Sequence, residues 1–280
     1  MNTYAQLLKE GKQILEQAGV SEAELDAWYL LSDTFSIDRT KFLIERNTSK
    51  QLELSLLNQY QERLKQRAMR IPLQYILGVQ EFMGMEFIVN HHVLIPRQDT
   101  ETIVEEVLKE KSGTVLDLCT GSGCIAISLS KLGTFERVDA TDISKKAILI
   151  AKENAKKLKA DVRFYEGDLF EAITETYDII VSNPPYITKE VIETLQPEVR
   201  VHEPYKALYG PNHGLYFYEQ ISKFAMNYLN PNGMIFYEIG YDQANDVCHI
   251  LKKYGYKKIQ VIQDLAGKDR VVKARFSFEN

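Results

Sequence analysis

Over the first seventy residues apolar positions recur at helical spacing, and no stretch alternates. Tyr4, Leu7, Leu8, Ile14 and Leu15 predict one helix ending near Gly19. Leu25, Trp28, Tyr29 and Leu31 predict a second, with Ser21 and Glu24 as its capping box. Asp38 is placed to cap a shorter helix carrying Phe42 and Leu43. Ser49 to Met69 forms a fourth through Leu52, Leu56, Leu57, Tyr60 and Leu64, with Lys65, Arg67 and Arg70 on a charged, solvated face. Pro72 breaks the pattern. After Gly78 the period becomes two, from Glu81 to Val89, which predicts a hairpin turning at Met83-Gly84. Val93 to Glu101 is an apolar strip feeding a capped helix from about Thr100 to Lys111.

From Gly113 onward strand and helix patterns alternate with short connections, the mark of a parallel sheet covered on both faces. Strands are expected over 114–118, 137–141, 162–165 and 177–182, with helices opening at Cys124 and near Ser144. A helix from about Leu215 to Leu229, a strand from Gly233 to Ile239 and a helix from Gln243 to Lys253 follow. Lys257–Gln263 and Val271–Phe278 read as two closing strands. Residues 1–71 are thus expected as a helical domain, 72–98 as a linker with a hairpin, and 99–280 as an α/β domain.

At 280 residues and 45% apolar content, the chain can bury one large core and one small one. It has no apolar run of membrane-spanning length and no leader-like N-terminus, so a soluble, cytoplasmic protein is expected. Cys119, Cys124 and Cys248 form no metal-ligand spacing, and scattered thiols suit a reducing compartment. His91 and His92 would point in opposite directions on an extended chain, and no metal site is assigned. A net charge of −5 argues against stable nucleic-acid binding through phosphates.

The candidate chemistry lies at strand ends. Tyr177 to Ser182 is a strand-forming run that stops at Asn183-Pro184-Pro185-Tyr186, because the first proline removes a donor and fixes φ. Asn183 is left at a carboxyl strand end, where open α/β sheets bind ligands. The prolines hold acceptors in a fixed geometry and Tyr186 supplies a flat wall, an arrangement suited to a planar amide or amine; a plain Asn-Pro turn is the simpler alternative. After Asp117, the turn Cys119-Thr120-Gly121-Ser122-Gly123 lets a ligand approach the backbone and a helix N-terminus. It lacks the third glycine of the dinucleotide fingerprint and any Gly-Lys-Ser/Thr. Asp142 ends the second strand as a partner for ribose hydroxyls or as a helix cap. After the third strand, the Asp168 carboxylate suits an adenine amine and Leu169 its ring face. Arg97, beside Asp99 and Glu101, is either part of a surface ion pair or one wall of a site.

This order of acid, Gly-rich turn, acid, Gly-Asp and Asn-Pro-Pro-Tyr resembles the class I S-adenosylmethionine-dependent methyltransferases. With Leu73 to Gly78, Val93 to Glu101, Glu203-Pro204, Gly214-Leu215, Glu238-Ile239-Gly240 and Asp269-Arg270, the chain is similar along most of its length to the peptide chain release factor glutamine methyltransferases. It departs at Cys119, at Gln98-Asp99 and at Gly210 to Gly214. The resemblance implies a Rossmann-like, mostly parallel sheet with an antiparallel edge strand, and a small helical domain that recognises the substrate protein. It further implies S-adenosylmethionine as cofactor, held by Asp117, Cys119, Thr120, Gly121, Ser122, Gly123, Asp142, Asp168, Leu169 and Asn183. The reaction implied is methylation of the glutamine amide in the Gly-Gly-Gln motif of class I release factors. In it Asn183, Pro184 and Tyr186 are catalytic, and Asn183, Pro184, Pro185 and Tyr186 hold the substrate. Two rivals are a DNA adenine methyltransferase, for which the acidic balance is unsuited, and a binding module without catalysis, against which an intact Asn183 weighs.

Overall fold

A computed structural model describes residues 3–49 and 51–276, which form two compact units. One holds the described residues up to Gly78 together with Gln196–His202; the other holds Val79–Leu195 and the described residues from Glu203 onward.

The helical unit contains α1 (Tyr4–Gln17), α2 (Ala23–Phe35), α3 (Arg39–Glu45), α4 (Leu54–Ala68), a short α5 (Leu73–Leu77) that the sequence pattern did not predict, and the later helix Pro197–His202. A capping box opens α1, with the Gln6 N–H donating to Thr3 Oγ1 at 3.2 Å and the Thr3 N–H to Gln6 Oε1 at 3.0 Å. The box expected at Ser21 and Glu24 does not form. Helix α2 starts at Ala23 behind Glu22, one position too late for Glu24 to reach back, and Glu24 takes Lys12 Nζ at 2.6 Å instead. Asp38 caps α3 as expected, accepting from the Lys41 N–H at 2.7 Å. Helix α4 begins at Leu54, not Ser49; Lys50 lies outside the described residues.

Leu7, Leu15, Leu30, Leu31, Tyr60 and Leu64 close this unit's core. Gly11 admits the Tyr60 hydroxyl, which donates to the Leu7 carbonyl at 3.2 Å; a Cβ at Gly11 would lie 2.3 Å from that oxygen. The expectation that Arg67 sits on a solvated face is overturned. Its side chain is 7% exposed and bridges two carboxylates, Nε to Asp26 Oδ2 at 2.7 Å and Nη2 to Glu198 Oε1 at 2.7 Å. Arg70 grips Glu198 with Nε on Oε1 at 2.6 Å and Nη2 on Oε2 at 2.7 Å. Helical periodicity saw these arginines as polar, and could not see that their partner arrives from far along the chain.

The second unit opens with the expected hairpin, β1 (Val79–Phe82) and β2 (Met85–Ile88), which turns at Met83 and Gly84, both at positive φ. A 3-10 turn, Gln98–Thr100, leads into α6 (Glu101–Leu108). Then come β3 (Thr114–Leu118), α7 (Cys124–Leu132), β4 (Arg137–Asp142), α8 (Lys145–Leu158), β5 (Arg163–Glu166) and β6 (Tyr177–Ser182). Helix α9 (Lys189–Thr194) leads out to Pro197–His202, which is α10, and α11 (Tyr205–Leu208) lies on the return. The chain finishes with α12 (Tyr216–Ala225), β7 (Leu229–Glu238), α13 (Ala244–Lys253), β8 (Lys257–Gln263) and β9 (Asp269–Arg275).

The sheet order is β5-β4-β3-β6-β7-β9-β8. β3 to β7 are parallel, while β9 runs antiparallel between β7 and β8. The expected antiparallel pair is present, with the last strand inside and β8 at the edge. Residues 277 and 278 of the strand expected to end at Phe278 lie outside the described residues. Val115, Ile179 and Val181 pack with α6 and α7 on one face, and Leu116, Leu118 and Ile180 with α12 and α13 on the other. The strand order reverses between β3 and β6, so their carboxyl ends flank a switch point where such sheets bind ligands. No described helix is long and apolar enough to cross a membrane.

Candidate active site

β6 is central and its Ile179-Ile180-Val181 core is buried on both faces, which is why that stretch reads as a continuous apolar run. Its last residue, Ser182, donates through Oγ to the Leu118 carbonyl at 2.7 Å, tying the ends of β6 and β3 together. Pro184 and Pro185 are buried; Asn183 and Tyr186 are half-buried. Beyond them the loop is clamped on both sides. The Ile187 N–H donates to Leu208 O at 2.9 Å, the Gly210 N–H to Ile187 O at 2.9 Å, and Gln243 Nε2 to Tyr186 O at 3.3 Å. A Cβ at Gly210 would lie 2.6 Å from the Pro185 carbonyl oxygen, and one at Gly214 2.1 Å from that of Tyr186. The unusual Gly210 to Gly214 segment therefore keeps glycine at both points where it touches the Asn-Pro-Pro-Tyr backbone.

The turn after β3 is organised by two acids. Asp117, fully buried, accepts through Oδ2 from Thr120 Oγ1 at 2.6 Å and from the Ala126 N–H at 3.2 Å; burial pushes its carboxyl up to about 7 against these bonds. Asp142 accepts through Oδ2 from the Gly121 N–H at 2.9 Å and through Oδ1 from the Ser144 N–H at 2.8 Å. Burial raises the Asp142 carboxyl as well, with those amides pulling the other way. Ser144 itself caps α8, so the capping role foreseen for Asp142 falls to its neighbour. The Thr120 hydroxyl is directed to Asp117 and that of Ser122 is buried, which leaves backbone as what this turn can offer a ligand. Gly121, at φ +57°, has open space where a Cβ would stand. Cys119 and Leu169 hold φ of 64° and 51°, left-handed positions that non-glycine residues keep only under constraint. Leu169 is held by Thr141, whose Oγ1 donates to its carbonyl at 3.2 Å, and the Gly167 N–H donates to Asp142 O at 3.1 Å. Asp168 is exposed.

These residues fit a nucleoside bearing a sulfonium arm. The Asp142 oxygens, each held by one amide, keep lone pairs for ribose hydroxyls. Leu169 supplies an apolar cover and Asp168 an exposed acceptor. The turn presents no side chain at Gly121 to block a close approach.

Behind Asn183 stands a polar cluster that the sequence reading did not assemble. Asn183 Nδ2 donates to Thr100 Oγ1 at 3.4 Å. Glu238 ends β7 at 2% exposure, and burial pushes its carboxyl up to about 7, with Thr100, Arg270 and Asn183 lowering it. Burial likewise drives the Tyr186 hydroxyl far above its ordinary value. Arg97 Nη2 meets the buried Glu203 Oε1 at 2.6 Å, an acid far off in sequence, in place of the surface pair expected beside Asp99 and Glu101. The available signals were weak: Thr100 reads as a cap yet makes no capping bond, and Glu238 closes an apolar strand. His91 and His92 do not point apart. They sit in a turn, with ring centroids 3.8 Å apart.

The family model described as Methyltransferase small domain matches residues 97–200, and that described as PrmC N-terminal domain matches residues 6–78. The release factor glutamine methyltransferase of Clostridium botulinum is 42% identical over 278 residues, covering 96% of this chain and 98% of its own length. That of Geobacter sulfurreducens is 42% identical over 276 residues, covering 98% and 96%. A methyltransferase of Pyrococcus furiosus, known from its crystal structure, shares the fold with a TM-score of 0.57 at 19% identity, over 70% of this chain and 91% of that one.

Proposed function

Because the chain belongs to the release factor glutamine methyltransferases, we infer that it transfers a methyl group from S-adenosylmethionine to a glutamine side-chain nitrogen of peptide chain release factors, and that the target is the Gly-Gly-Gln glutamine of the class I factors. The observation that carries this reading is the Asn-Pro-Pro-Tyr loop, clamped at the end of β6 beside the Gly-rich turn of β3. The cofactor, bound across the ends of β3, β4 and β5, supplies an electrophilic methyl on a sulfonium. An amide nitrogen is a poor nucleophile because its lone pair is delocalised, so orientation is the main task left to the protein. Asn183 Oδ1 and the Pro184 carbonyl accept the two amide hydrogens, hold the nitrogen in line, and stabilise the positive charge that develops on it. Tyr186 and Pro185 pack against the amide plane and exclude water. The proton leaves after transfer, and no strong base is required.

The helical unit is assigned to recognition of the release factor. A cytoplasmic setting is proposed with the substrate, and Cys119, Cys124 and Cys248, all free thiols, fit a reducing compartment. With net charge −5, stable nucleic-acid binding is not part of the proposal. With methyl-labelled cofactor at near-physiological salt, a purified class I release factor is expected to take up label, and a factor with Gln→Ala in its Gly-Gly-Gln tip to take up none. Label in DNA adenine, or undiminished label in the altered factor, would overturn the assignment.

The cofactor site carries its own expectation. Asp142→Ala removes a charged acceptor pair and the anchor of the Gly121 amide, and should weaken S-adenosylmethionine binding by roughly 2–3 kcal/mol. Calorimetry returning the parental affinity would take Asp142 out of the site.

A further inference from the structure

The parallel register pairs Ser182 of β6 with Tyr237 of β7, so the next residues, Asn183 and Glu238, emerge side by side at the carboxyl edge of the sheet. Behind the asparagine, then, lies a carboxylate. Its Oε2 has no hydrogen-bond partner among the described residues. Thr100, 3% exposed, stands between the two: it begins α6 without capping it, and its Oγ1 accepts from Asn183 Nδ2.

An amide has a donor end and an acceptor end, exchanged by a half-turn about its last side-chain bond. A carboxylate only accepts. With Oδ1 turned inward, the Thr100 hydroxyl would have to donate to it and the Glu238 carboxylate would lose that hydrogen in a buried, weakly screened place, whereas with Nδ2 inward every polar hydrogen has a destination. The hydroxyl that receives the asparagine N–H must itself donate elsewhere, and Glu238 is the acceptor beside it. We propose that Glu238, acting in part through Thr100, is a positioning residue that locks the Asn183 amide with Oδ1 toward the substrate nitrogen. This rests on the methyl-transfer reading of the site and names what sets its orientation.

Other charges around Glu238 leave this logic intact. Arg270 on β9 faces it, but that guanidinium is shared between Asp264 Oδ2 at 3.1 Å and Asp99 Oδ2 at 3.0 Å. Tyr186 in the loop after β6, Tyr218 on α12 and Cys124 on α7 also feel its charge, and burial raises all three far enough to keep them neutral near pH 7. Protonated Glu238 would become a donor and would permit the flipped amide. Because burial holds its carboxyl at about 7, the competent form fills as pH rises through neutrality. Asp117, also at about 7, titrates in the same range, but belongs to the β3 turn and persists when Glu238 is replaced.

The test uses the full chain with Glu238→Gln and, independently, Thr100→Val. Each is expected to lower kcat on release factor on the order of 100-fold while leaving S-adenosylmethionine affinity near the parental value. The rise of kcat through pH 7 should flatten in Glu238→Gln, and adding Glu238→Gln to Asn183→Ala should cost little more. The Asn183 side-chain amide resonances should titrate near pH 7 in the parent and not in Glu238→Gln, a readout that needs no turnover and so stands apart from the substrate assignment. Parental kcat in either folded variant, full multiplication of the loss with Asn183→Ala, or amide resonances indifferent to Glu238 would overturn the proposal. If Glu238→Gln fails to fold, Thr100→Val and the parent's resonances decide it.

Discussion

Asn183→Ala is expected to lower methyl transfer by roughly 100-fold or more while S-adenosylmethionine affinity stays within a few-fold of the parent. The two effects separate because they live at different strand ends. The turn after β3 and Asp142 at the end of β4 are built from bonds among Asp117, Thr120, Gly121, Asp142 and Ser144, none of which includes Asn183. The asparagine amide acts on the substrate nitrogen, and its oxygen matters most when that nitrogen acquires positive charge. The Pro184 carbonyl survives the substitution, so the substrate keeps one acceptor and its affinity changes less than its turnover. Single-turnover transfer beside cofactor calorimetry measures both quantities. Equal losses in the two, or undiminished turnover, would contradict the role given to Asn183.

Glu198→Ala is expected to lower the stability of the helical unit by about 3 kcal/mol, the lower end of what breaking a buried ion pair costs. Arg67 would keep Asp26 and Arg70 would keep the Gly19 carbonyl at 3.0 Å, which softens the loss. Trp28, the only tryptophan of the chain and a core residue of this unit, reports its unfolding by fluorescence. Acidity provides a second handle. Burial works to raise the Glu198 carboxyl, but hydrogen bonds from Arg70 and Arg67 outweigh it and hold the group at about 2, below the ordinary 4.5. An acid lowered in the folded state stabilises it fully above its unfolded value and loses that contribution as pH falls through the folded one. Parent and variant should therefore differ most near neutrality and converge between about pH 4.5 and 2. A denaturant midpoint unchanged by Glu198→Ala at neutral pH would show that the ion network adds no net stability.

The strands and their order-setting motifs were legible because a buried parallel strand writes itself as a short apolar run closed by a breaker. β3 matches its expected bounds, and β6 ends where Pro184 requires. What failed to read were features decided by distant partners. Glu24 looks like half of a capping box until Lys12 is seen across the helix pair, and Arg67 looks solvated until Glu198 is placed beside it. α9, α10 and α11 have four to six residues each, too few for periodicity to register. At the site, Asn183 and the Gly-rich turn were visible from composition and spacing, whereas Glu238 acquires meaning from the register of β6 against β7 and Thr100 from its contact with Asn183.

The excursion of Gln196–His202 into the helical unit also orders events during synthesis. Five helices of that unit are made first, yet the carboxylate joining Arg67 to Arg70 comes much later. At ~5–20 residues per second, the roughly 120 residues between Gly78 and Gln196 take ~6–24 s to follow. Through that interval Arg67 has Asp26 as a partner, while the carboxylate that Arg70 grips has not been made. A ribosome that stalls or terminates early, anywhere before Glu198, releases a helical unit that cannot close its ion network. No growing chain can complete this unit before Asn183 has been made.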